Sequence, residues 1–182
     1  MEKLCIGIAT MGTVKTKTMF SLHKLIKKFP NISMQTWEGC IVHQSRINIV
    51  KEVLKSGCTH LLFVDHDMVF EPEAVEKLLE ANKDIVAAPC NLRKLPLTAN
   101  VRLLDVKKDE LFECEAIGTA FMIIKTFVFK TIPRPWFFYE QDENGDMRVS
   151  EDVWFCKKAI EAGYKIWCEP RAVVGHIGDY IF

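Results

Sequence analysis

Apolar runs of strand length alternate with amphipathic helical segments through the first half of the chain, and this order restricts the folds available to it. Four apolar runs are expected to form strands: 3–9, 32–37, 61–64 and 84–88. Three segments between them have helical spacing: 15–29, 42–55 and 72–79. Each helix carries the chain back across the sheet, so neighbouring strands run parallel. The pattern predicts an α/β fold with a largely parallel sheet covered by helices on both faces.

The second half of the chain predicts shorter strands with charged connections, so the sheet becomes mixed. The expected strands are 97–104, 111–116, 119–124, 165–168 and 172–175. The polar segment 139–149 predicts a mobile loop, and a helix over 151–162 follows it. The 182 residues contain no repeat and no change in composition that marks a boundary, so we expect a single domain.

The chain carries 24 Lys and Arg residues against 24 Asp and Glu residues, so it has no net charge. This balance argues against a nucleic-acid partner, because phosphate backbones are bound by an excess of positive charge. No apolar run approaches the ~20 residues of a transmembrane segment, and the start is too short for a signal peptide, so we expect a cytoplasmic protein. The seven cysteines form no C-x-x-C pair, which favours buried, reduced thiols.

The sequence LLFVDHD places two aspartates directly after the third expected strand. Asp65 and Asp67 would therefore lie at the carboxyl end of a parallel strand, where open α/β sheets bind ligands. One carboxylate can bind Mg²⁺ or Mn²⁺ while the other binds a water on that ion or a sugar hydroxyl. The alternative is a solvated strand end, where aspartate is common.

Arg46 and Asn48 lie at the start of the helix that precedes this strand. An arginine there can bind a phosphate or a carboxylate through two nitrogen atoms. The alternative is an exposed arginine and an asparagine that helps to begin the helix. Gly118 and Thr119 precede an apolar strand, where a glycine either lets a ligand approach the backbone or marks a bulge.

The segment SEDVW begins the last helix with Glu151 and Asp152, where acids stabilise a helix N-terminus. The functional alternative is that one of these acids serves as a general base beside the 139–149 loop. His176 ends a short apolar strand, and its imidazole is either structural or completes a Mn²⁺ site. The aromatic run 136–139 favours packing in the core or in an edge strand over a surface that stacks on sugar rings.

Taken in order, these segments resemble a small glycosyltransferase of the GT-A fold, similar to glycosyltransferase family 2 and related families. The resemblance rests on the R-x-N, D-x-D, I-G-T, E-D and G-H motifs. It implies one Rossmann-like domain over 1–182, with a nucleotide-binding half (1–95) and a half that completes the acceptor and metal sites (96–182). It also implies a nucleotide-diphosphate sugar as donor, Mn²⁺ or Mg²⁺ as cofactor, and a hydroxyl of a glycan, a lipid or another molecule as acceptor.

The resemblance assigns roles to individual residues. Asp67 would bind the metal directly, His176 would complete the metal site, and Asp65 would contact the ribose or a metal-bound water. Asp152 would be the base of an inverting enzyme with Glu151 as its helper, although the same fold also hosts retaining enzymes. The residues expected to contact the nucleotide sugar are Thr10, Glu38, Arg46, Asn48, Asp65, Gly118 and Thr119.

Glu38 stands where many members of these families have an aspartate that helps to bind the base, so the identity of the nucleotide is left open. The chain ends shortly after His176. An acceptor site would then require a partner, a further domain or a homo-oligomer.

Two other functions compete with transfer. The sequence FVDHDMV also fits the motif of haloacid-dehalogenase phosphatases, in which Asp65 would be the nucleophile and Asp67 the acid and base. Lys125 and the acids of the E-D motif, Glu151 and Asp152, would complete that site. That motif normally follows the first core strand, and the phosphatase hypothesis leaves the R-x-N motif and His176 without roles. The other alternative is a non-catalytic module of the same fold that binds a nucleotide sugar.

Overall fold

The computed structural model describes residues 3–90, 101–103 and 109–178. The helices are α1 (Thr16–Lys28), α2 (Val42–Ser56), α3 (Pro72–Glu80), α4 (Val128–Thr131) and α5 (Glu151–Glu161). The strands are β1 (Leu4–Thr10), β2 (Ser33–Glu38), β3 (His60–Val64), β4 (Met68–Phe70), β5 (Ile85–Ala87), β6 (Val101–Leu103), β7 (Phe112–Ile117), β8 (Phe121–Lys125), β9 (Glu140–Gln141), β10 (Met147–Val149), β11 (Ile166–Cys168) and β12 (Val174–His176). Of the expected strand 97–104, residues 97–100 and 104 lie outside the described residues. None of the helices in the described ranges is long and apolar enough to cross a membrane.

Eight strands form the central sheet in the order β2-β1-β3-β8-β5-β11-β7-β6. β1 is parallel to β2 and β3, and β5 is parallel to β11. β8 lies antiparallel between β3 and β5, and β7 lies antiparallel between β11 and β6. Six of the eight strands therefore run in one direction, which confirms the predicted mixed, mostly parallel sheet.

Helices cover both faces of this sheet, as the alternation in the first half predicts. Residues of α2 and α5 form a core on one face, and residues of α1 and α3 form a core on the other. The side chains of β3 alternate between the two cores: Leu61 and Phe63 enter the first, and Leu62 and Val64 enter the second. A strand buried on both faces has no polar side, which is why β3 appears in the sequence as a continuous apolar run.

Gly7 in β1 allows α2 to pack closely against the sheet. A Cβ atom at position 7 would lie 2.7 Å from Cγ2 of Ile49 and 2.9 Å from Cδ1 of Leu61. Ile49 and Val50 are fully buried on the side of α2 that faces the sheet. Because α2 follows β2, its first turns lie beside the carboxyl ends of the parallel strands. This packing fixes the position of Arg46, which lies one turn before Val50.

Besides the short helix α4, which the sequence does not predict, two elements differ from the sequence-based expectation. The segment 139–149 contains the antiparallel hairpin β9–β10 and is not a loop without strands. The Asp142 carboxylate accepts hydrogen bonds from the N–H groups of Asn144 and Asp146, and these bonds shape the hairpin turn despite its polar composition. β4 was not expected, and it pairs antiparallel with β12 directly after the D-x-D motif.

The seven cysteines are all free thiols, and five of them are buried. The prediction of buried thiols is wrong for Cys40, which is exposed because it lies in the loop between β2 and α2, and Cys58 is only partly buried. Burial raises the pKa of Cys5 to about 11 and that of Cys156 to about 12. These buried thiols therefore stay uncharged near neutral pH and serve as small core residues.

Candidate active site

The carboxyl ends of β1, β2 and β3 surround a cleft at one edge of the sheet. Thr10 and Glu38 are paired residues at the ends of β1 and β2, and the Gly39 N–H donates to the Thr10 carbonyl over 2.9 Å. The cleft is lined by Ala9, Thr10, Met11, Gly39, Cys40, Val42, Asp65 and His66. The structure therefore brings the first aspartate of the D-x-D motif to the same cleft as the end of β1.

Thr10 and Glu38 shape the loops around this cleft. The Thr10 hydroxyl accepts from the Thr13 N–H and donates to the Thr13 carbonyl, so it closes the turn after β1. Gly12 has a φ of +98°, and a Cβ atom there would lie 2.9 Å from Oε1 of Glu38. The Glu38 carboxylate thus lies against the loop that follows β1, where the positive φ of residue 12 favours a glycine.

Arg46 is buried and binds two carboxylates that come from distant parts of the chain. Its Nη2 donates to Oδ1 of Asp65 over 3.1 Å, and its Nη1 donates to Oε1 of Glu151, 105 residues away in the sequence. The side chain is only about 4% exposed, so the alternative of a surface arginine is wrong. Burial by itself would lower the pKa of Arg46, but the charges of Asp65 and Glu151 outweigh this effect and raise it.

Asp67 and His176 lie against each other at the second position of the D-x-D motif. Nε2 of His176 is 3.3 Å from Oδ1 of Asp67, whose side chain is 1% exposed. The pairing of β4 with β12 causes this contact, because it sets His176 opposite Met68 and lets the Ile177 N–H donate to the Asp67 carbonyl. His66 is the other imidazole nearby, with Nε2 4.0 Å from Oδ2 of Asp67.

Glu151 and Asp152 begin α5, and they have different surroundings. Glu151 is 8% exposed and holds Arg46, whereas Asp152 is partly exposed. Oδ1 of Asp152 accepts from the Ser150 hydroxyl and, over 2.7 Å, from the Val153 N–H. Ser150 makes no capping hydrogen bond to the helix backbone with its side chain, whereas Asp152 accepts one from the Val153 N–H, in line with the alternative that the acids stabilise the start of this helix.

The turn between β7 and β8 also reaches this end of the sheet. Gly118, Thr119 and Ala120 form the connection, and the Ala120 carbonyl accepts from the Asp65 N–H over 2.9 Å. Thr119 is 1% exposed, and its hydroxyl has no hydrogen-bond partner among the described residues. A buried hydroxyl without a partner is costly, so Thr119 is a candidate ligand contact beside Asp65.

Asn48 is the predicted site residue that the structure leaves outside these contacts. Its Oδ1 accepts hydrogen bonds from Gln44 and Lys51, both on the same helix. The two-residue separation from Arg46 explains this difference, because residues i and i+2 point to different sides of a helix.

Tyr139 is a site residue that the sequence does not single out, because it belongs to an aromatic run assigned to packing. Burial raises its pKa above the ordinary value, and the charge of Glu151 and a hydrogen bond to it act in the same direction. Its ring also contacts that of His43 at a centroid distance of 5.1 Å. Trp136 and Phe137 are buried as expected, whereas Phe138 is 43% exposed.

Lys125 lies at the opposite end of the sheet from the aspartates. It pairs with His60 at the start of β3, while Asp65 follows the end of that strand, about 16 Å away at ordinary strand spacing. Its ammonium group binds Asp84 over 3.1 Å. The phosphatase alternative expected Lys125 to complete its site, and the structure contradicts that expectation.

The site meets part of the requirement for a divalent cation. Asp67 and His176 supply an oxygen and a nitrogen ligand at a separation that two ligands of one ion can adopt, and Mn²⁺ accepts both types. Asp65, also expected to act at the metal, uses Oδ1 to bind Arg46. In the described ranges, no group of three or more His, Cys, Asp or Glu side chains is arranged to hold a metal. The pair therefore fits an ion that takes its other ligands from water and phosphate oxygens, as Mg²⁺ commonly does.

No protein-family model and no curated protein sequence matches this chain. Among solved structures, A197 from STIV is similar over 99% of this chain and 96% of its own, with a TM-score of 0.66 and 19% identity. The crystal structure of GalNAc-T7 with UDP, GalNAc and Mn²⁺ is similar over 97% of this chain and 44% of its own, with a TM-score of 0.59 and 12% identity. Both comparisons concern the three-dimensional fold, and they show that this chain has a GT-A-like fold.

Proposed function

We propose that this protein is a metal-dependent glycosyltransferase that moves a sugar from a nucleotide-diphosphate sugar to an acceptor hydroxyl. The observation that carries the proposal is the contact of Asp67 with His176, 3.3 Å apart, at the carboxyl end of β3 in a GT-A-like sheet. The fold is shared with GalNAc-T7, a glycosyltransferase whose crystal structure contains UDP and Mn²⁺. In this proposal residues 1–95 supply the nucleotide site, and residues 96–182 supply the base and the second metal ligand.

The charge balance at the site supports a requirement for a cation. Asp65, Asp67, Glu151 and Asp152 contribute four carboxylates at this end of the sheet. Arg46 pairs with two of these acids, Asp65 and Glu151. A nucleotide diphosphate adds further negative charge, so it would bind here together with a divalent cation.

The cleft beside Asp65 supports a nucleotide site. Its walls come from the ends of β1 and β3 and from the loop before α2, which is where ligands bind in open α/β sheets. We assign Glu38 and Thr10 to the base and ribose end of this cleft. Asp65 faces the same cleft and would bind the ribose or a metal-bound water, and Thr119 and Gly118 would contact the sugar.

Asp152 is the proposed base. It would accept the proton of the acceptor hydroxyl while that oxygen forms a bond to the anomeric carbon, as the bond from that carbon to the diphosphate oxygen breaks on the opposite face. The result is inversion of the anomeric configuration. Its two hydrogen bonds from Ser150 and Val153 both go to Oδ1 and would hold the carboxylate in place. When bound, a divalent cation would offset the negative charge that develops on the leaving diphosphate.

A screen of nucleotide sugars tests this proposal directly. Purified protein is incubated with UDP-, GDP- and TDP-sugars in Mn²⁺ or Mg²⁺, and the release of nucleoside diphosphate is measured with and without candidate glycan and lipid acceptors. We expect release with at least one donor, its loss on chelation of the metal, and its loss in Asp67→Asn. Metal-independent release, or no release with any donor, would contradict the proposal. Nucleotide binding without turnover would favour the non-catalytic module.

A further inference from the structure

We propose that Arg46 is a positioning residue whose guanidinium sets the separation between the D-x-D turn and the start of α5. This inference rests on the proposed function, because the groups that it aligns are Asp65 on the nucleotide side and, through Glu151, the base Asp152. The R-x-N motif would then act on the reaction without touching the nucleotide, in contrast to the nucleotide contact that the sequence resemblance implies for Arg46.

The burial of Arg46 supports a role between protein groups. The side chain is 4% exposed, and Nη1 and Nη2 are each committed to a carboxylate. A buried guanidinium that has lost its water needs such partners to remain charged. Each outer nitrogen already donates to an acid of the protein, and with only 4% of the side chain exposed, a diphosphate has little access to the N–H groups that remain on the guanidinium.

The helix that carries Arg46 is a rigid support. Ile49 and Val50, on the next turn of α2, are fully buried, and Ile49 lies so close to Gly7 that β1 has no room for a Cβ atom there. Asp65 is held in turn by the hydrogen bond from its N–H to the Ala120 carbonyl. Core packing therefore fixes the position of Arg46 relative to β1 and β3. The ion pair with Arg46 holds the Glu151 carboxylate at that position.

Because Asp152 directly follows Glu151, the position at which Arg46 holds Glu151 also determines where the proposed base Asp152 lies. Both residues belong to the first turn of α5. Anchoring the Glu151 carboxylate restrains the rotation and height of that turn, and a displacement of about 1 Å at a reacting group can lower the rate about 10²-fold.

An arginine is suited to this bridge and a lysine is not. The planar guanidinium presents separate nitrogens to two carboxylates at once, whereas the ammonium of a lysine is a single point charge on a flexible chain. Arg46→Lys therefore keeps the charge but is expected to lose one of the two carboxylates. Comparing the wild type with Arg46→Lys therefore shows whether the shape of the guanidinium matters in addition to its positive charge.

The kinetic test compares kcat and the donor KM of the wild type with those of Arg46→Lys, at a temperature where both are fully folded by circular dichroism. We expect kcat to fall about 10- to 100-fold, while the Kd for UDP and Mn²⁺ changes less than about threefold. A raised donor KM with unchanged kcat would instead identify Arg46 as a nucleotide contact and overturn the proposal. The matched control is Arg171→Lys, in which another arginine paired with a buried carboxylate is changed outside the site, and its kcat should equal that of the wild type.

A second test does not depend on turnover, so it separates failure of this inference from failure of the proposed function. Asp65→Asn and Glu151→Gln are each placed in the wild type and in Arg46→Met, and urea midpoints are measured. With Arg46 present, each change should lower the midpoint. In the Arg46→Met background, each substitution should raise the urea midpoint, because it removes one of two carboxylate charges that face each other without a shared cation. An equal decrease in both backgrounds would contradict the bridge.

Failure of Arg46→Met to fold would itself be informative in this design. Two buried carboxylates without their shared cation are then the cause of unfolding, so the triple variant Arg46→Met/Asp65→Asn/Glu151→Gln is expected to recover a cooperative urea transition. A triple variant that also fails to fold would contradict the proposal, because the arginine would then be needed for a reason other than the two charges. If the wild type turns over no donor, the function is wrong, and these midpoints still decide whether Arg46 bridges the two acids.

Discussion

Nε2 of His176 lies 3.3 Å from Oδ1 of Asp67 because β12 pairs with β4 immediately after the D-x-D motif. The contact joins the last described strand to the middle of the chain. It brings an imidazole to a carboxylate that is almost fully buried. This pair is the part of the site in which both ligand types suit Mn²⁺.

Replacing His176 by alanine is expected to weaken Mn²⁺ binding at least about tenfold, because the ion loses a protein ligand. Isothermal titration with Mn²⁺ in the presence of UDP measures the change. The matched control is His23→Ala, which removes an exposed histidine from α1. Equal Mn²⁺ affinities in wild type and His176→Ala would remove His176 from the metal site.

Asp152→Asn is expected to lower kcat about 10²- to 10⁴-fold, because the amide cannot accept the proton of the acceptor hydroxyl. Binding of UDP and Mn²⁺ should stay within about threefold of wild type, since Asp152 is not assigned to the donor. Glu161→Gln, which removes an exposed acid from the same helix, is the control. A variant that transfers sugar at the wild-type rate would show that another group is the base.

Gly7→Ala is expected to lower the free energy of unfolding by about 1–3 kcal/mol, because the new methyl group would overlap Ile49 and Leu61. Urea denaturation measures this effect. Gly175→Ala is a suitable comparison, because the nearest atoms would lie 3.7 and 3.8 Å from its Cβ, which is ordinary van der Waals contact. It should lower the free energy of unfolding less than Gly7→Ala does. Equal stability of wild type and Gly7→Ala would contradict the close packing of α2 on β1.

Cys40 is expected to react first with a thiol reagent in the native protein at pH 8, because it is exposed. Burial raises the pKa of Cys90 and Cys168 to about 12, so at pH 8 very little of either is the reactive thiolate. Their labelling should increase as the pH approaches that value or when the protein unfolds. Peptide mass spectrometry after timed alkylation identifies the labelled sites.

The same reagent can report on the nucleotide cleft, which Cys40 lines. UDP with Mn²⁺ is expected to slow the alkylation of Cys40, while either one added separately should have less effect. Cys40→Ser provides the background rate of the remaining thiols. Unchanged labelling of Cys40 at saturating nucleotide would show that the nucleotide binds elsewhere.

The sequence is sufficient to predict the sheet and its helices where apolar periodicity is strong. Leu61, Leu62, Phe63 and Val64 are buried on two faces, so the strand that delivers Asp65 is evident without any tertiary information. The β9–β10 hairpin was missed, because its turn is held by hydrogen bonds to Asp142 and not by an apolar pattern.

The candidate site is less evident, because its contacts join residues that are distant in the sequence. The burial of Arg46 depends on Glu151, 105 residues further on, and no local pattern indicates that pair. Conversely, Asn48 belongs to the same R-x-N motif as Arg46, but its side chain bonds to Gln44 on its own helix and not to the acids of the site. The three-residue strand β4 is too short to show a period, although it is what brings His176 to Asp67.

The central claim is that Asp67 supports binding of a nucleotide together with a divalent cation, and thermal unfolding tests it most directly. The melting temperature is measured with UDP, GDP or TDP, each with and without Mn²⁺. At about 100 times Kd, we expect one nucleotide with Mn²⁺ to raise the melting temperature by about 5–10 °C, and the rise to disappear in Asp67→Asn. No metal-dependent rise with any nucleotide, or the same rise in Asp67→Asn, would contradict the claim.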